Sequence, residues 1–368
     1  MTLPTPRPGI MDINPYVGGE SKSVPHKDLG YVVRLASNEG ALGPSRAAME
    51  AYRALAGEIQ FYPDGASQAL REALALAHGL DAGRIVCGAG SDELIALLVK
   101  AYAGPGDEIV YSQHGFLMYP LAAKACGVTP VVAPEQGLTG DVDALLDKVT
   151  ERTRLVFLAN PNNPTGTFLP PAEIERLHAG LPGHVILVLD AAYAEYIKRN
   201  DYSAGIELVD RASNVVMLRT FSKIFAMGGL RLGWAYASAA IADVLNRVRG
   251  PFNVSSPAQA AAIAALGDIA FQDESREHNQ TWREWTAAEL SGLGLGVTPS
   301  VANFLLVDFA AVPGADAEAA RLHLKNDGIL VRQMGAYGLA TSLRITIGRE
   351  AEMKAVVESL TRYLAGVA

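Results

Sequence analysis

The residues best suited to chemistry in this chain gather around Lys223. The run Thr220-Phe221-Ser222-Lys223-Ile224-Phe225-Ala226-Met227-Gly228-Gly229-Leu230-Arg231 follows an apolar stretch, Val215 to Leu218, that reads as a short buried strand. A lysine among apolar neighbours loses hydration, so its pKa falls and the neutral amine becomes a nucleophile. The hydroxyls of Thr220 and Ser222 and the guanidinium of Arg231 are groups that hold a phosphate ester. A lysine beside a phosphate cup suggests a Schiff base to pyridoxal phosphate. Taken alone, the run reads equally well as a helix-start lysine snorkelling to water beside a glycine-rich turn.

Other polar residues recur where apolar runs end. Arg84 to Cys87 reads as a strand that stops at Gly88-Ala89-Gly90-Ser91-Asp92-Glu93, before an apolar helix from Leu94 to Tyr102. Strand, glycine turn and helix start together make an anion site, because unpaired N–H groups and the helix dipole face the ligand. Glu93 stands where a dinucleotide fingerprint wants its last glycine, which weakens a nicotinamide reading. Strand Glu108 to Tyr111 leads to Phe116, an aromatic able to stack on a flat cofactor. Leu155 to Ala159 ends at the irregular loop Asn160-Pro161-Asn162-Asn163-Pro164-Thr165-Gly166. Val185 to Leu189 ends at Asp190, and a carboxylate directly after a buried parallel strand is costly unless paired.

The elements that must position these groups alternate strand and helix from Arg84 to Gly233, which implies a largely parallel sheet with helices on both faces. Such sheets bind ligands at the carboxyl ends of their strands, where every one of these residues lies. Before this segment come an arm (residues 1–30, with Tyr16 on a turn), a short strand from Tyr31 to Ala36, a polar loop with Asn38 and Glu39, and a turn with Tyr62. After Pro251 come long helices, then a smaller set of mixed strands carrying Arg332 and Arg344. Arginines in apolar strands pair with a carboxylate or phosphate. The expected organisation is an arm at 1–30, a small domain from 31–45 and 258–368, and a large domain at 46–257. With 368 residues, 49% of them hydrophobic, the chain can bury a sizeable core. No apolar run is long enough to span a membrane. A net charge of −8 without a basic cluster argues against nucleic acid. Cys87 and Cys126 lack metal or disulfide spacing, and the histidines are scattered, so no metal is expected and a reducing cytoplasm is the default.

With Asn160 to Gly166, Asp190-Ala191-Ala192-Tyr193 and Ser222-Lys223 in that order, the chain resembles the class I/II aminotransferases of pyridoxal-phosphate fold type I, from about residue 12 to its C-terminus. Asn14-Pro15-Tyr16, Leu35 to Glu39 with Leu42 to Ser45, and Gly88 to Glu93 narrow the resemblance to the histidinol-phosphate aminotransferase subfamily. The tail from Val331-Arg332 to Arg344-Ile345-Thr346-Ile347-Gly348 is similar to that group as well. The resemblance implies an α/β fold with a mostly parallel seven-stranded sheet between helices, a smaller α/β domain and an N-terminal arm. It implies a homodimer with a shared active site, and ping-pong transfer of an amino group from histidinol phosphate to 2-oxoglutarate.

It also implies roles. Lys223 would carry the cofactor and shuttle a proton. Asp190 would pair with the pyridine nitrogen, and Asn163 and Tyr193 with the ring oxygen. Phe116 would stack on the ring. Ala89, Gly90, Ser91, Thr220, Ser222 and Arg231 would hold the cofactor phosphate, with Tyr62 reaching the neighbouring subunit's cofactor. Tyr16, Asn38, Glu39, Arg332 and Arg344 would face the substrate. The chain departs from the family's pattern at Gln113-His114-Gly115 before Phe116, at Ala191, and at Gly40-Ala41. Aromatic-amino-acid aminotransferases and threonine-phosphate decarboxylases share much of this pattern, so the amino donor stays open. A cofactor-sensing module without catalysis would want an added DNA-binding segment, for which there is no basic patch.

Overall fold

A computed structural model describes residues 4–7, 9–15 and 18–367. Tyr16 therefore lies outside the described residues. The larger of its two main sheets has seven strands, in the order Ile85–Gly88, Gly233–Ala237, Val215–Thr220, Ile186–Asp190, Thr153–Ala159, Glu108–Ser112 and Thr129–Ala133. Every neighbouring pair is parallel except those made by Gly233–Ala237, which runs antiparallel to both of its neighbours.

The near-continuous apolar character of these strands follows from burial on both faces. Successive side chains alternate between faces. Val156, Leu158, Leu187, Leu189, Val215 and Met217 fall in one core, and Leu155, Phe157, Ile186, Val188, Val216 and Leu218 in the other. The antiparallel strand and the helix that follows it, Ala239–Val248, were not expected from the sequence. The glycines before Trp234 look like an extension of the loop, while the signal for the helix is Ser238, whose hydroxyl caps it by accepting from the Ile241 amide.

The second sheet orders Val33–Leu35, Ile329–Gln333, Ser342–Thr346, Phe304–Asp308 and Gly296–Val297. Its first pair is parallel and the others are antiparallel. Val33, Leu35, Leu305, Val307, Val331, Leu343 and Ile345 pack on one side with Leu324, Met353, Val356 and Leu360 of its helices. The alternate positions, including Leu306, Arg332, Arg344 and Thr346, belong to the opposite face. Arg332 and Arg344 are direct partners across their antiparallel pair, so both point the same way. That face turns toward the carboxyl ends of the large sheet.

Candidate active site

A cavity of about 430 Å³ opens between the strand ends of the large sheet and the arginine-bearing face of the small one. It brings together Asn38, Glu39, Ser91, Phe116, Asn163, Asp190, Tyr193, Thr220, Ser222, Lys223, Arg231, Arg332 and Arg344 from the expected set. These residues come from widely separated parts of the chain, and strand geometry alone delivers most of them to one place.

Asp190 is the last residue of its strand and is buried. Its Oδ2 accepts a hydrogen bond of 2.8 Å from the Tyr119 hydroxyl, while Oδ1 is buried with no hydrogen-bond partner of normal geometry. Burial pushes its pKa up to about 6, against the opposing pull of the Tyr119 hydroxyl, the Ala192 amide and the Lys223 charge. Tyr119 was not expected from the sequence. It is fully buried, stacks on Phe157 at 4.7 Å and meets Phe116 edge-on at 6.0 Å. Nothing in the run Leu117-Met118-Tyr119-Pro120 marks its hydroxyl as functional. Only its position in the first turn of the helix Met118–Cys126, in reach of Asp190, does so.

Lys223 lies shortly after Val215–Thr220, with Nζ 3.2 Å from the Ser37 carbonyl and 3.5 Å from that of Asn38. The side chain keeps some contact with the cavity, yet removal from water, reinforced by the nearby charge of Arg344, lowers its pKa to about 7. Glu39 and Asp190 pull it back up, and Arg231 adds to the lowering. The amine is therefore available near neutral pH, as the local sequence anticipated.

Tyr193 is buried, and its hydroxyl accepts from Asn38 Nδ2 at 2.9 Å. Burial raises its pKa, with Arg344 and Asn38 opposing. Asn38 adopts a left-handed conformation, φ 57°, which asparagine tolerates better than most residues. Thr346 secures it twice, accepting from the Asn38 amide at 3.0 Å and donating to Oδ1 at 3.2 Å. Asn303 Nδ2 donates to the Asn38 carbonyl at 3.1 Å. Asn38 is thus a brace for Tyr193 as well as a cavity residue, and Glu39 lies 3.5 Å from Arg34.

Asn163 sits in a loop whose Asn160–Pro161 and Asn163–Pro164 bonds are both cis. Its Oδ1 accepts from Arg344 Nη1 at 2.5 Å, and Arg344 Nη2 donates to the Ala36 carbonyl at 2.8 Å. Arg344 is buried, and its charge links the loop of one sheet to the strand of the other.

The glycine turn differs from expectation in detail. The Ala89 amide donates to Glu93 Oε2 at 2.6 Å, and the Gly90 amide to the Gly88 carbonyl at 2.8 Å. Neither Ala89 nor Gly90 lines the cavity. The helix begins at Ser91 rather than Leu94, so Ser91 and the next residues supply the open first-turn amides. Gly90 has φ 92°, and a Cβ there would lie 2.4 Å from Arg231 Nη2. Arg231 itself holds φ 53° and donates to Asp92 Oδ1 at 2.7 Å. Asp92, which no local pattern marks, thereby shares the guanidinium with the Gly228 carbonyl.

Phe116 lines the cavity. The unusual Gln113-His114-Gly115 preceding it is anchored by a buried contact of 2.7 Å between His114 Nδ1 and Glu135 Oε2. Tyr62 stands apart: it is 81% exposed and stacks on Phe252 at 4.7 Å. Among the described residues no cluster of potential ligands could hold a metal ion, and no helix is long and apolar enough to cross a membrane.

The sequence profile of the class I and II aminotransferases matches residues 31–360. A histidinol-phosphate aminotransferase of Rhodospirillum centenum is 60% identical over 366 residues, covering 100% of both chains. One from Paramagnetospirillum magneticum is 58% identical over 364 residues, 99% of each chain. The crystal structure of histidinol-phosphate aminotransferase from Sinorhizobium meliloti in complex with pyridoxal 5′-phosphate superposes with a TM-score of 0.89 at 30% identity, covering 100% of this chain and 99% of that one. The chain belongs to the class I and II aminotransferase family.

Proposed function

We propose that the protein is a pyridoxal-phosphate-dependent aminotransferase that moves the amino group of histidinol phosphate to 2-oxoglutarate, a step of histidine biosynthesis. The observation that carries the reading is the pairing, in one cavity, of a buried Asp190 with an open Oδ1 and a desolvated Lys223 amine. End-to-end relatives at 58% and 60% identity bear the name of that enzyme, which favours histidinol phosphate over an aromatic amino acid as donor.

The residues fit pyridoxal phosphate. Asp190 Oδ1 is an orphaned acceptor suited to a protonated ring nitrogen, and a buried acceptor left without a partner is costly. Ser91, Thr220, Ser222 and Arg231 would hold the phosphate, Phe116 would cover the ring, and Asn163 and Tyr193 would take its phenolic oxygen. When bound, the cofactor supplies an aldehyde for the amine and a ring that stores the electron pair released at the substrate carbon.

The chain's own residues do the rest. With a pKa near 7, Lys223 Nζ can both accept and return a proton at neutral pH. Asp190, kept as an anion above about pH 6, holds positive charge at the ring nitrogen. Arg344 binds the anionic end of either substrate and, through Asn163, fixes the loop that faces the ring. Arg332, its cross-strand partner, adds a second positive group. Because donor and acceptor share one anion site, they bind in turn, and with the amino group held on the loaded enzyme between them the kinetics would be ping-pong.

The exposed Tyr62–Phe252 stack and a groove of about 370 Å³ edged by Pro44, Met49 and Tyr52 support a homodimer in which Tyr62 reaches the neighbouring cofactor. The separate cores support a division into an arm (1–30), a small domain (31–45 with 258–368) and a large one (46–257). The test is a half-reaction. Histidinol phosphate added to the cofactor-loaded enzyme is expected to bleach the long-wavelength cofactor band at micromolar to millimolar concentrations. Bleaching by phenylalanine without bleaching by histidinol phosphate would overturn the substrate and leave the family intact.

A further inference from the structure

A second cavity, of about 690 Å³, is lined by Gly166 and Thr167 of the loop that lends Pro161 and Asn163 to the first. Arg283, on the helix Ile269–Gly292, lines it with only 14% of its side chain exposed. Among the described residues its guanidinium contacts the Ala302 carbonyl at 3.3 Å and, at 4.0 Å, Glu284, whose own side chain is 63% exposed. A buried cation with so little compensation is costly, and an oxyanion is the natural complement to a guanidinium fork. Arg199, which also lines the cavity, is already paired bidentately with Asp201 at 2.7 Å, so Arg283 is the anchor. Thr139, Thr298 and Ser300, whose hydroxyls can donate, also line the cavity.

Two of the chain segments that wall this cavity continue into the first one. Gly166 and Thr167 belong to the loop that carries Asn163, the acceptor of Arg344. Thr298 to Val301 lead into Asn303, which holds the carbonyl of Asn38. The segments are tied together where the Val301 amide donates to the Gly166 carbonyl at 3.0 Å. We infer that this cavity is a binding site for a small oxyanion, carboxylate or phosphate, anchored by Arg283, and that its occupancy acts on the first cavity through Asn163 and Asn38. This goes beyond the proposed reaction, which makes no use of Arg283.

The probes are potassium sulfate, as the phosphate-like arm, and potassium acetate, as the carboxylate arm. Each is titrated into the cofactor-loaded enzyme at an ionic strength held constant with potassium chloride. Trp282 and Trp285 lie one and two residues from Arg283 on the same helix, with ring centroids 5.3 Å apart, and tryptophan emission is the readout. The expected result is a saturable emission change with half-saturation on the order of millimolar for one arm. It is lost in Arg283→Gln and retained, weakened, in Arg283→Lys, whose thermal melt controls for folding. At saturating substrate, where competition in the first cavity is suppressed, the same anion is expected to change kcat by about fivefold in the native chain and not in Arg283→Gln. A saturable signal that survives Arg283→Gln, or emission that follows ionic strength alone, overturns the site. Binding lost in Arg283→Gln with kcat unmoved throughout overturns the coupling. The emission arm needs no turnover, so failure of the proposed reaction does not touch it.

Discussion

The two sheets furnish the cavity under different constraints. The large sheet offers single side chains at or just beyond strand ends, each withdrawn from water and electrostatically displaced: Asp190 is pushed up to about 6 and Lys223 down to about 7. The small sheet offers a face, where Arg344 and Thr346 act mainly by holding residues of other segments: Asn163, the Ala36 carbonyl and Asn38. In the proposed reaction one region would set reactivity and the other geometry and charge for the substrate. Residues of the first kind are predicted to control kcat, and those of the second kind to control KM.

The largest effect is expected from Lys223→Ala, which removes the amine and is predicted to lower kcat by about 10⁴-fold or more, measured by steady-state turnover. Asp190→Asn is expected to follow, with kcat down by about 10³-fold and the cofactor still bound. Arg344→Gln should instead raise KM for both substrates about 100-fold, with a smaller loss in kcat, consistent with removal of one charged contact. A variant at Arg344 that lost kcat as Asp190→Asn does, with KM unchanged, would break the division between the sheets.

The same variant sharpens the comparison through pH. Arg344 is the charge that most lowers the Lys223 pKa after burial itself. In the cofactor-free chain, the rate of amine modification at Lys223 is expected to rise roughly tenfold between pH 6 and 8, as a group with a pKa of about 7 loses its proton. In Arg344→Gln that rise should move to higher pH. Stability follows from the sign of the shift. The folded pKa of about 7 lies below the ordinary 10.5, so the unfolded chain binds more protons between these values. This group therefore makes the cofactor-free protein more stable as pH climbs through that window. Asp190 acts oppositely: its pKa is raised from 3.8 to about 6, so its contribution falls as pH rises through that range.

Legibility in the sequence divides along the same line. The gathering of Asp190, Asn163 and Lys223 in one cavity was readable because each follows an apolar run short enough to be a buried strand, and such runs end on one edge of a parallel sheet. The parallel sheet was readable from the same alternation. The strand Gly233–Ala237 was not, because it is inserted between Val215–Thr220 and Ile85–Gly88, the second far away in the chain. Arg332 and Arg344 could be nominated from their apolar strands, but their partners could not. Tyr119 and Asp92 were missed for the same reason: Tyr119 matters through Asp190, and Asp92 through Arg231, and neither contact leaves a local pattern. The glycine turn was located correctly, while the use of the Ala89 amide by Glu93 is a matter of side-chain reach that spacing does not determine.

Tyr119→Phe tests whether such a contact tunes the large-sheet wall. The hydroxyl donates to Asp190 and so favours its ionised form. Its loss leaves the ring packing on Phe157 in place, because the ring itself is retained. The expected outcome is a further rise in the Asp190 pKa, read by infrared titration of the cofactor-free protein. Cofactor affinity is expected to fall about tenfold, in keeping with a hydrogen bond to a charged group of about 1.5 kcal/mol. An unchanged carboxyl titration would reduce Tyr119 to packing.

The smallest effect belongs to the small sheet, at Thr346→Val. The change keeps the shape and removes the hydroxyl that both accepts from and donates to Asn38. The Asn38 amide and Oδ1 are then left without those partners in a buried setting, which costs about 1–3 kcal/mol of stability, read as a lower melting temperature. Asn38 still has Tyr193 and Asn303 to hold it, so its displacement should be slight. The predicted kinetic result is a KM increase of about two- to fivefold at nearly constant kcat, since the brace acts on the substrate-facing loop and on the orientation of the Tyr193 hydroxyl. A tenfold or greater fall in kcat would mean that the small sheet sets reactivity through Tyr193, and the two walls would have to be treated as one unit.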